Sequence, residues 1–371
     1  MSWRETTLGE ITDLKRGFDL PKSQRLQGDV PVYSSSGITG SNSTAAVEGP
    51  CVITGRYGTI GEVFFSGGPC WPLNTALYST EFNGNNPRFV YYLLQTIPWQ
   101  GYTTASAVPG VNRNHVNLCP VKIPDRATQD AIVEVLDSIV DKIALNNRLN
   151  DYLFELVSSV FAHRFSDNVN TTELKNVLSI STKALKPQEH ADEIWEHYSI
   201  PAFDEKHRPI FEPASGIKSN KYQIDSECIL ISKLNPSTKR IWMPCCSSNN
   251  AVCSTEFIVY RPYLKEYKSF YYAAIDSPRF TDYLLEHVSG STGSRQRAQP
   301  KDTLNYLMPN PDNEEIKDFC TFADPIYRHI QINEQQTAKL ELLRETLLPK
   351  LMSGAIDVSK VDLTQLTNNH L

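Results

Sequence analysis

Residues 124–161 read PDRATQDAIVEVLDSIVDKIALNNRLNDYLFELVSSVF. Apolar side chains and two asparagines recur in this stretch at alternating steps of four and three residues, which is the spacing of a coiled-coil seam. The seam positions are Ile132, Leu136, Ile139, Ile143, Asn146, Asn150, Leu153, Val157 and Val160. The pattern predicts one long helix over 124–161, and a helix of about 35 residues is roughly 50 Å long at 1.5 Å per residue.

The same pattern occurs a second time later in the chain. An offset of 187 residues (324 − 137) aligns Asp137 with Asp324 and Asn146 with Asn333. The second set of seam positions is Phe319, Ala323, Ile326, Ile330, Asn333, Thr337, Leu340, Arg344 and Leu347. One helical unit has been used twice, and such duplication indicates a protein built from two similar halves.

Local signals mark the ends of these helices. The second helix is predicted over 311–348, because Pro349 and then Gly354 disfavour its continuation. Thr128 and Asp312 are the candidate N-terminal caps, since their side-chain oxygens can accept from backbone N–H groups that have no partner within the helix.

The two asparagines at equivalent seam positions, Asn146 and Asn333, indicate that the helices pair with each other. A polar residue in a seam lowers stability but fixes register and orientation. A pseudo-twofold relation between the repeats would make the pair antiparallel. The alternative is that each helix packs only on its own domain, as amphipathic helices commonly do.

Composition describes an ordinary soluble protein large enough for two domains. The chain has 371 residues, a hydrophobic content of 40% and a net charge of −6. Its first residues lack a basic start with an apolar run, and no stretch approaches 18 consecutive apolar residues, so we expect a cytoplasmic protein without a membrane partner. The eight cysteines show no CxxC spacing, which predicts free thiols and no metal site.

A short-strand pattern precedes each long helix. Runs such as CVITG and CILIS are separated by Gly, Pro, Asn and Ser, as in β-rich domains with many turns, whereas PRFVYYLLQ at 87–95 predicts a helix. The sequence therefore predicts an α+β fold with two β-rich domains, an internal pseudo-twofold repeat and two long antiparallel coiled-coil helices between them. The predicted segments are 1–123 for the first domain, 124–162 for the first helix, 163–308 for the second domain, and 309–371 for the second helix and tail.

Enzyme signatures are absent from the sequence. It contains neither a glycine-rich methyltransferase loop with an NPPY-like turn nor a GxxxxGK[ST] phosphate loop, and SGSTGS at 289–294 lacks the lysine of such a loop. The eight histidines are scattered, without an evident nucleophile partner. The chain is therefore predicted to be non-catalytic.

Polar and basic loops of both β-rich domains are candidates for DNA contact. Arginine pairs with guanine or phosphate and asparagine pairs with adenine, so both residue types suit such a surface. The candidates in the first domain are Arg56, Asn74, Thr75, Arg113 and His115. Those in the second domain are Lys233, Asn235, Arg240, Ser254, Thr255, Arg295 and Arg297. The alternative for any one loop is an ordinary solvated turn.

The chain resembles the DNA-specificity (S) subunits of type I restriction-modification systems over nearly its whole length. The stretches that carry the resemblance are WRETTLGEITDLKRG, ITGRYGTIGEVFF, DSIVDKIALNN, HYSIPAFDE, GIKSNK, ILISKLNP, VCSTEFIV and LLRETLLPKLMSGAID. The motif positions that can be transferred from the family to this sequence are Arg56, Lys233, Asn235, Ser254 and Thr255.

The resemblance implies two target-recognition domains that each read one half of a split, asymmetric site in double-stranded DNA. It also implies that the helices set the unread spacer and dock two modification (methyltransferase) subunits, which restriction and translocase subunits join. S-adenosylmethionine, ATP and Mg²⁺ are then expected on the partners, and no cofactor on this chain. These implications place the protein in host defence through DNA methylation and restriction.

Two other hypotheses remain open from the sequence. The chain could be a coiled-coil scaffold whose β-rich domains bind protein rather than DNA, or an enzyme in its own right. A split DNA motif enriched in the presence of a methyltransferase partner would distinguish the first reading from the scaffold, and methylation or cleavage by the purified chain would identify the enzyme.

Overall fold

The computed structural model describes residues 3–103, 110–167, 170–289 and 296–361. The chain forms two compact units. Unit 1 consists of Met1–Ala144 and Thr337–Leu371, and unit 2 consists of Leu145–Gln336. Each unit contains one β-rich domain and a segment of both long helices, so the division falls inside the helices. The domain limits drawn from the sequence stay a prediction.

Unit 1 has a four-stranded sheet in the order β2-β8-β5-β6, a three-stranded sheet in the order β4-β3-β7, and the antiparallel pair β1-β9. Its strands are β1 Trp3–Thr7, β2 Lys15–Arg16, β3 Val30–Ser34, β4 Gly37–Asn42, β5 Cys51–Gly55, β6 Val63–Ser66, β7 Trp71–Pro72, β8 Ala76–Ser79 and β9 Pro120–Pro124. Its short helices are α1 Leu8–Ile11, α2 Pro87–Gln95 and α3 Arg113–Val116, with 3-10 turns at Lys22–Gln24, Trp99–Tyr102 and Val358–Lys360. The first long helix, α4, spans Arg126–Phe165. The predicted helix at 87–95 is confirmed.

Unit 2 has a four-stranded sheet in the order β11-β19-β16-β17, a five-stranded sheet in the order β12-β15-β18-β13-β14, and the pairs β10-β22 and β20-β21. Its strands are β10 Thr171–Glu173, β11 Leu178–Ser181, β12 Ala184–Leu185, β13 Ile194–Tyr198, β14 Ile210–Pro213, β15 Lys221–Gln223, β16 Ile229–Ser232, β17 Ile241–Trp242, β18 Ala251–Ser254, β19 Phe257–Pro262, β20 Val288–Ser289, β21 Arg297–Ala298 and β22 Leu307–Pro309. Its short helices are α5 Ile200–Lys206, α6 Lys268–Asp276, α7 Pro278–Glu286 and α8 Pro300–Thr303, with 3-10 turns at Leu174–Asn176, Pro187–His190, Ala214–Gly216 and Lys265–Tyr267. The second long helix, α9, spans Asn313–Met352.

The duplication extends from the helices into the β-rich domains. The sheet β2-β8-β5-β6 has the same strand order as β11-β19-β16-β17 when their strands are matched in sequence, and the pair β1-β9 matches β10-β22. The pairing Gly55↔Ala76 in unit 1 corresponds to Ser232↔Phe257 in unit 2. The helix α3 lies 187 residues (300 − 113) before α8, which is the offset found for the long helices. The repeat therefore assigns structurally equivalent residues in the two domains.

The caps of the long helices differ in part from the sequence prediction. Asp312 Oδ1 accepts the N–H groups of Glu314 (3.0 Å) and Glu315 (2.9 Å), so its capping role in α9 is confirmed. The prediction for Thr128 was wrong: its backbone N–H donates to Asp125 Oδ1 at 2.9 Å, and Asp125 is the cap. An aspartate just before the first turn reaches the free N–H groups, whereas Thr128 already lies within the helix.

The predicted end of the second helix at Leu348 was also wrong, because α9 continues to Met352. Pro349 removes one backbone hydrogen bond from the last turns. The buried side chains of Leu351 and Met352, which pack into the core of unit 1, favour the extra turn. The chain then leaves the helix at Gly354, whose φ of 74° is in the left-handed region that glycine adopts readily.

The long helices run antiparallel where they pack on each other. In unit 2 the ring centroids of Phe161 and Phe319 lie 5.6 Å apart, and Asn333 Nδ2 donates to Asn150 Oδ1 at 2.8 Å. Asn146 Nδ2 donates to Gln336 Oε1 at 2.9 Å. The partner number falls as the α4 number rises, so the pair is antiparallel and the predicted fold class is confirmed. The two equivalent asparagines bond different partners on the opposite helix, and not each other.

Burial follows the predicted seam closely. The fully or almost fully buried helix-pairing candidates are Leu136, Ile139, Asn146, Ile330, Asn333 and Leu340. The half-buried ones are Ile143, Leu153 and Ile326. The alternative in which each helix packs only on its own β-rich domain does not describe this fold, because residues of α4 and α9 share hydrogen bonds and aromatic contacts within unit 2.

Candidate nucleic-acid interface

In unit 1, sheet register brings distant loop residues together. Gly55 ends β5 opposite Ala76, the first residue of β8. The next residue, Arg56, donates its backbone N–H to the Thr75 carbonyl at 2.9 Å, and its own carbonyl accepts the Val111 N–H at 2.9 Å. Three of the predicted segments, around residues 56, 75 and 113, therefore meet at one end of the sheet.

These segments enclose an open cleft of about 540 Å³. The lining residues are Arg16, Arg56, Tyr57, Leu77, Gly110, Val111, Asn112, Arg113 and Asn114. Three guanidinium groups, from the end of β2, the loop after β5 and the start of α3, share this cleft, and no carboxylate is among the described lining residues. Such a surface is electropositive and suits an anion.

The Arg56 side chain is oriented by its neighbour. Its guanidinium carbon lies 4.6 Å from the centroid of the Tyr57 ring, a cation–π distance. The ring in turn lies on the backbone at Gly110, where an added Cβ would come within 2.3 Å of Tyr57 Cε1. Glycine at position 110 is therefore required by close approach of the tyrosine, and this contact holds the Arg56–Tyr57 stack beside α3.

Arg16 is a cleft residue that the sequence reasoning missed. Its Nη2 lies 3.2 Å from Asp19 Oδ2, and Asp19 also accepts a hydrogen bond from the side chain of Asn74. Asn74 therefore supports the Arg16–Asp19 pair. The basic pair Lys15-Arg16 before Gly17 was the available signal, but only the pairing of β2 with β8 places it beside Arg56.

The other two candidates of unit 1 lie beside the cleft. The Thr75 hydroxyl is buried without a hydrogen-bond partner among the described residues, while the Thr75 carbonyl anchors the Arg56 loop. His115 is exposed on α3 and does not line the cleft. The roles of both residues in DNA contact stay predictions.

In unit 2, Lys233 occupies the position of Arg56. Its N–H donates to the Glu256 carbonyl at 2.9 Å, and its carbonyl accepts the Ala298 N–H at 2.9 Å, which repeats the hydrogen bonds of Arg56. The bridge between Tyr57 and Gly110 corresponds to the bridge between Leu234 and Arg297. Lys233 was one of the residues singled out from the sequence, and the fold makes it the structural counterpart of Arg56.

The remaining polar candidates of unit 2 surround Lys233. Asn235 has a φ of 48°, donates its N–H to the Gln296 carbonyl at 2.9 Å and accepts the Thr238 N–H at 2.9 Å, so it forms a tight turn. Ser254 Oγ accepts the Glu256 N–H at 3.2 Å, and Thr255 beside it is half-buried. Arg297 Nε donates to Glu256 Oε2 at 3.1 Å, so part of its charge is balanced inside the domain.

Arg240 is placed differently from the other candidates. Its side chain is only 11% exposed, and it forms a two-point ion pair with Asp204 at 2.6 and 2.9 Å. The hydrogen bond from Arg240 lowers the pKa of the Asp204 carboxyl. Lys239 next to it pairs with Asp276, 2.6 Å away. This pairing disfavours the predicted DNA contact of Arg240. Arg295 lies outside the described residues.

We expect Arg240→Met to leave DNA affinity within about twofold of the parent and to lower the free energy of unfolding by up to about 1 kcal/mol, because it removes a partly exposed ion pair but keeps an apolar stem. Lys233→Met, at a half-buried position without a carboxylate partner among the described residues, should weaken DNA binding instead. Titration of labelled duplex and urea unfolding measure the two effects. A larger loss of affinity from Arg240→Met than from Lys233→Met would contradict this assignment.

The first 153 residues match a family model described as the type I restriction modification DNA specificity domain. Residues 1–153 are therefore similar to a type I restriction-modification DNA specificity domain. The matched residues include every residue that lines the three-arginine cleft. The resemblance drawn from the sequence is thus confirmed.

One solved structure extends the likeness in fold beyond residues 1–153. The S subunit of a type I restriction-modification system from M. genitalium is 15% identical, with 95% of this chain and 96% of that chain covered and a TM-score of 0.63. The HsdS subunit from Thermoanaerobacter tengcongensis is also 15% identical, with 95% and 97% covered and a TM-score of 0.33. The first comparison shows an S-subunit fold over nearly the whole chain. No curated protein matches the sequence.

Two further findings concern the surroundings of the specificity domain. Within the described residues, no group of three or more His, Cys, Asp or Glu side chains is arranged to hold a metal ion, and all eight cysteines are free. None of the described helices is long and apolar enough to cross a membrane.

Proposed function

We propose that this protein is the DNA-specificity subunit of a type I restriction-modification complex and reads a bipartite site, one half with each β-rich domain. The observation that carries the proposal is the structural equivalence of the Arg56 loop and the Lys233 loop, within a chain whose residues 1–153 are similar to a specificity domain. Each loop follows a central strand of its four-stranded sheet, and each is surrounded by polar candidates for DNA contact.

The two β-rich domains present different side chains at equivalent positions, so the two DNA half-sites should differ in sequence. Equivalent positions carry different side chains: Tyr57 corresponds to Leu234, Thr75 to Glu256, and Gly110 to Arg297. Since base readout depends on the donors, acceptors and apolar groups that a loop presents, unlike loops select unlike bases. An asymmetric split motif is therefore the expected target.

The long helices have two roles in this proposal. Each has 40 residues, or about 60 Å at 1.5 Å per residue, and their pairing sets the length of DNA left unread between the half-sites. They also bind two modification subunits, and restriction subunits then join this complex. An exposed apolar stripe on α4 supports docking, since Leu145, Leu149, Tyr152 and Leu156 recur at coiled-coil spacing and are 56%, 36%, 63% and 45% exposed.

Catalysis belongs to the partners in this proposal. The modification subunits bind S-adenosylmethionine and methylate adenine, and the restriction subunits use ATP and Mg²⁺, so this chain itself is non-catalytic and binds no cofactor. The complex acts in the cytoplasm, where its DNA substrate is. Incubation of the purified chain with DNA and S-adenosylmethionine should give no methylation, and product formed by the chain alone would contradict this assignment.

The deciding experiment is to map methylated adenines in DNA from cells that express this chain with its modification partner. We expect one split, asymmetric motif with a fixed gap, absent from cells that express the modification partner alone. A chain with both Arg56 and Lys233 replaced by alanine serves as the matched control, and it should methylate the same motif less completely because its DNA affinity is lower. If no motif is enriched while the complex still assembles, the chain is a protein-binding scaffold and the proposal is wrong.

A further inference from the structure

The cleft of unit 1 is built for an anion rather than for a base edge. Arg16, Arg56 and Arg113 come from three separate segments and line one concave space, together with the amide side chains of Asn112 and Asn114. A side chain that reads bases has to protrude into a groove of the duplex, whereas a backbone phosphate can enter a recess of guanidinium and amide donors. Guanidinium groups also bind phosphate oxygens through paired, charge-assisted hydrogen bonds.

Two of the three arginines are available for such a ligand. The structure gives neither the Arg56 nor the Arg113 guanidinium a hydrogen bond or an ion pair to any residue that it describes, and Arg113 is exposed. Stacking on Tyr57 orients the Arg56 guanidinium while leaving its N–H edge able to donate. Arg16 is partly balanced by Asp19 and would contribute mainly to the local potential.

Unit 2 lacks this arrangement at the equivalent positions. Register pairs Arg16 with Leu77 and Ser181 with Val259, so Thr182 corresponds to Arg16. The 187-residue offset (300 − 113) places Pro300 at the position of Arg113. Leu234 replaces the stacking Tyr57. Of the three cleft arginines, only Arg56 has a basic counterpart, Lys233.

Three basic residues of unit 2 in or near the Lys233 loop are engaged by carboxylates. Arg240 pairs with Asp204, Arg297 with Glu256, and Lys239 with Asp276. Internal pairing lowers the positive potential that these side chains present to DNA. At these positions the two units therefore differ in residue type and also in the number of positively charged side chains that no carboxylate balances.

We propose that the three-arginine cleft of unit 1 binds a DNA backbone phosphate and that the charge-dependent part of DNA affinity is concentrated in this unit, whereas unit 2 contributes a smaller charged part through Lys233. This inference rests on the proposed function and adds an unequal division of labour between the two domains. The cleft anchors the protein without selecting bases, so its arginines set affinity and salt dependence but not the recognised motif.

The test uses the complete modification complex with its mapped target duplex. The double variant Arg56→Gln/Arg113→Gln should reduce affinity by about tenfold per arginine, because each loses a charge-assisted hydrogen bond. The slope of log affinity against log salt concentration should become shallower by about 0.9, the contribution of one phosphate contact. The matched unit 2 variant Lys233→Gln/Arg297→Gln should change the slope by less than about half of that. The methylated motif should be the same for all variants.

A charge-preserving variant separates charge from folding. Arg56→Lys/Arg113→Lys should keep most of the parent salt slope, although affinity falls because lysine cannot form the paired hydrogen bonds. A changed first half-motif in Arg56→Gln/Arg113→Gln would show that these arginines read bases, and an unchanged salt slope would show that they do not touch phosphate; either result overturns the inference. The proposed function is decided separately, by whether the unaltered complex yields a split motif at all.

Discussion

Insertion of one heptad into each long helix, between Ala144 and Leu145 and between Gln336 and Thr337, is expected to lengthen the unread spacer and leave both half-sites unchanged. Seven residues add about 10 Å of helix at 1.5 Å per residue, which corresponds to up to about three base pairs at 3.4 Å each. A whole heptad preserves the apolar seam, because the hydrophobic pattern repeats every seven residues. The insertion points lie at one level of the pair, since Asn146 bonds Gln336.

The measurement is the methylation motif of the lengthened protein in cells, compared with that of the parent. A four-residue insertion into α4 alone is the matched control, because it shifts the seam of one helix against the other and should abolish modification. Two outcomes would contradict the role of the helices in setting the spacer. One is a lengthened protein that still recognises the original spacer, and the other is one in which the bases of either half-site change.

Phe319→Ala is expected to lower the free energy of unfolding of unit 2 by about 4 kcal/mol, the usual cost of removing a fully buried phenyl ring. The Phe319 side chain is 0% exposed, and its ring centroid lies 5.6 Å from Phe161, 5.7 Å from Phe165 and 5.9 Å from Phe270. Since this cluster joins both long helices to α6, loss of the ring should loosen the helix pair within unit 2. Urea unfolding gives the magnitude, and hydrogen exchange localises it.

Phe322→Ala is the matched control for this cluster. Phe322 is only half-buried, and its ring lies 6.3 Å from Phe319. We expect a loss of about 1 kcal/mol, because a partly exposed ring has less apolar area to return to water. Similar losses for the two substitutions would mean that Phe319 is not the centre of the cluster.

The repeated motifs explain why the long helices and their relation could be predicted from the sequence alone. The steps of four and three residues placed both long helices within a few residues, and the offset of 187 residues related them. Helical periodicity is a local property, since side chains three and four residues apart lie on one face. The helix Pro87–Gln95 was predicted to the residue for the same reason, with proline at its first position.

Two long-range contacts in the structure do not follow from the local rules used on the sequence. Pro349 is a good stop signal by itself, but burial of Leu351 and Met352 in unit 1 outweighs it. Arg240 looks like a surface cation in the sequence SKLNPSTKR, yet its partner Asp204 is 36 residues away on α5. No spacing rule connects those two positions, because only the tertiary packing of α5 brings Asp204 next to Arg240.

The sequence by itself determined the duplication, the two long helices and the resemblance to DNA-specificity subunits, because those depend on periodic patterns and motifs within single segments. Only the tertiary structure decided which loop residues share a surface. Strand register made Lys233 the structural counterpart of Arg56 and placed Arg16 in the cleft. It also packed the Tyr57 ring against the backbone of Gly110. Register is fixed by pairing between segments far apart in the chain, and the loops of a β-rich domain carry no period from which it could be read.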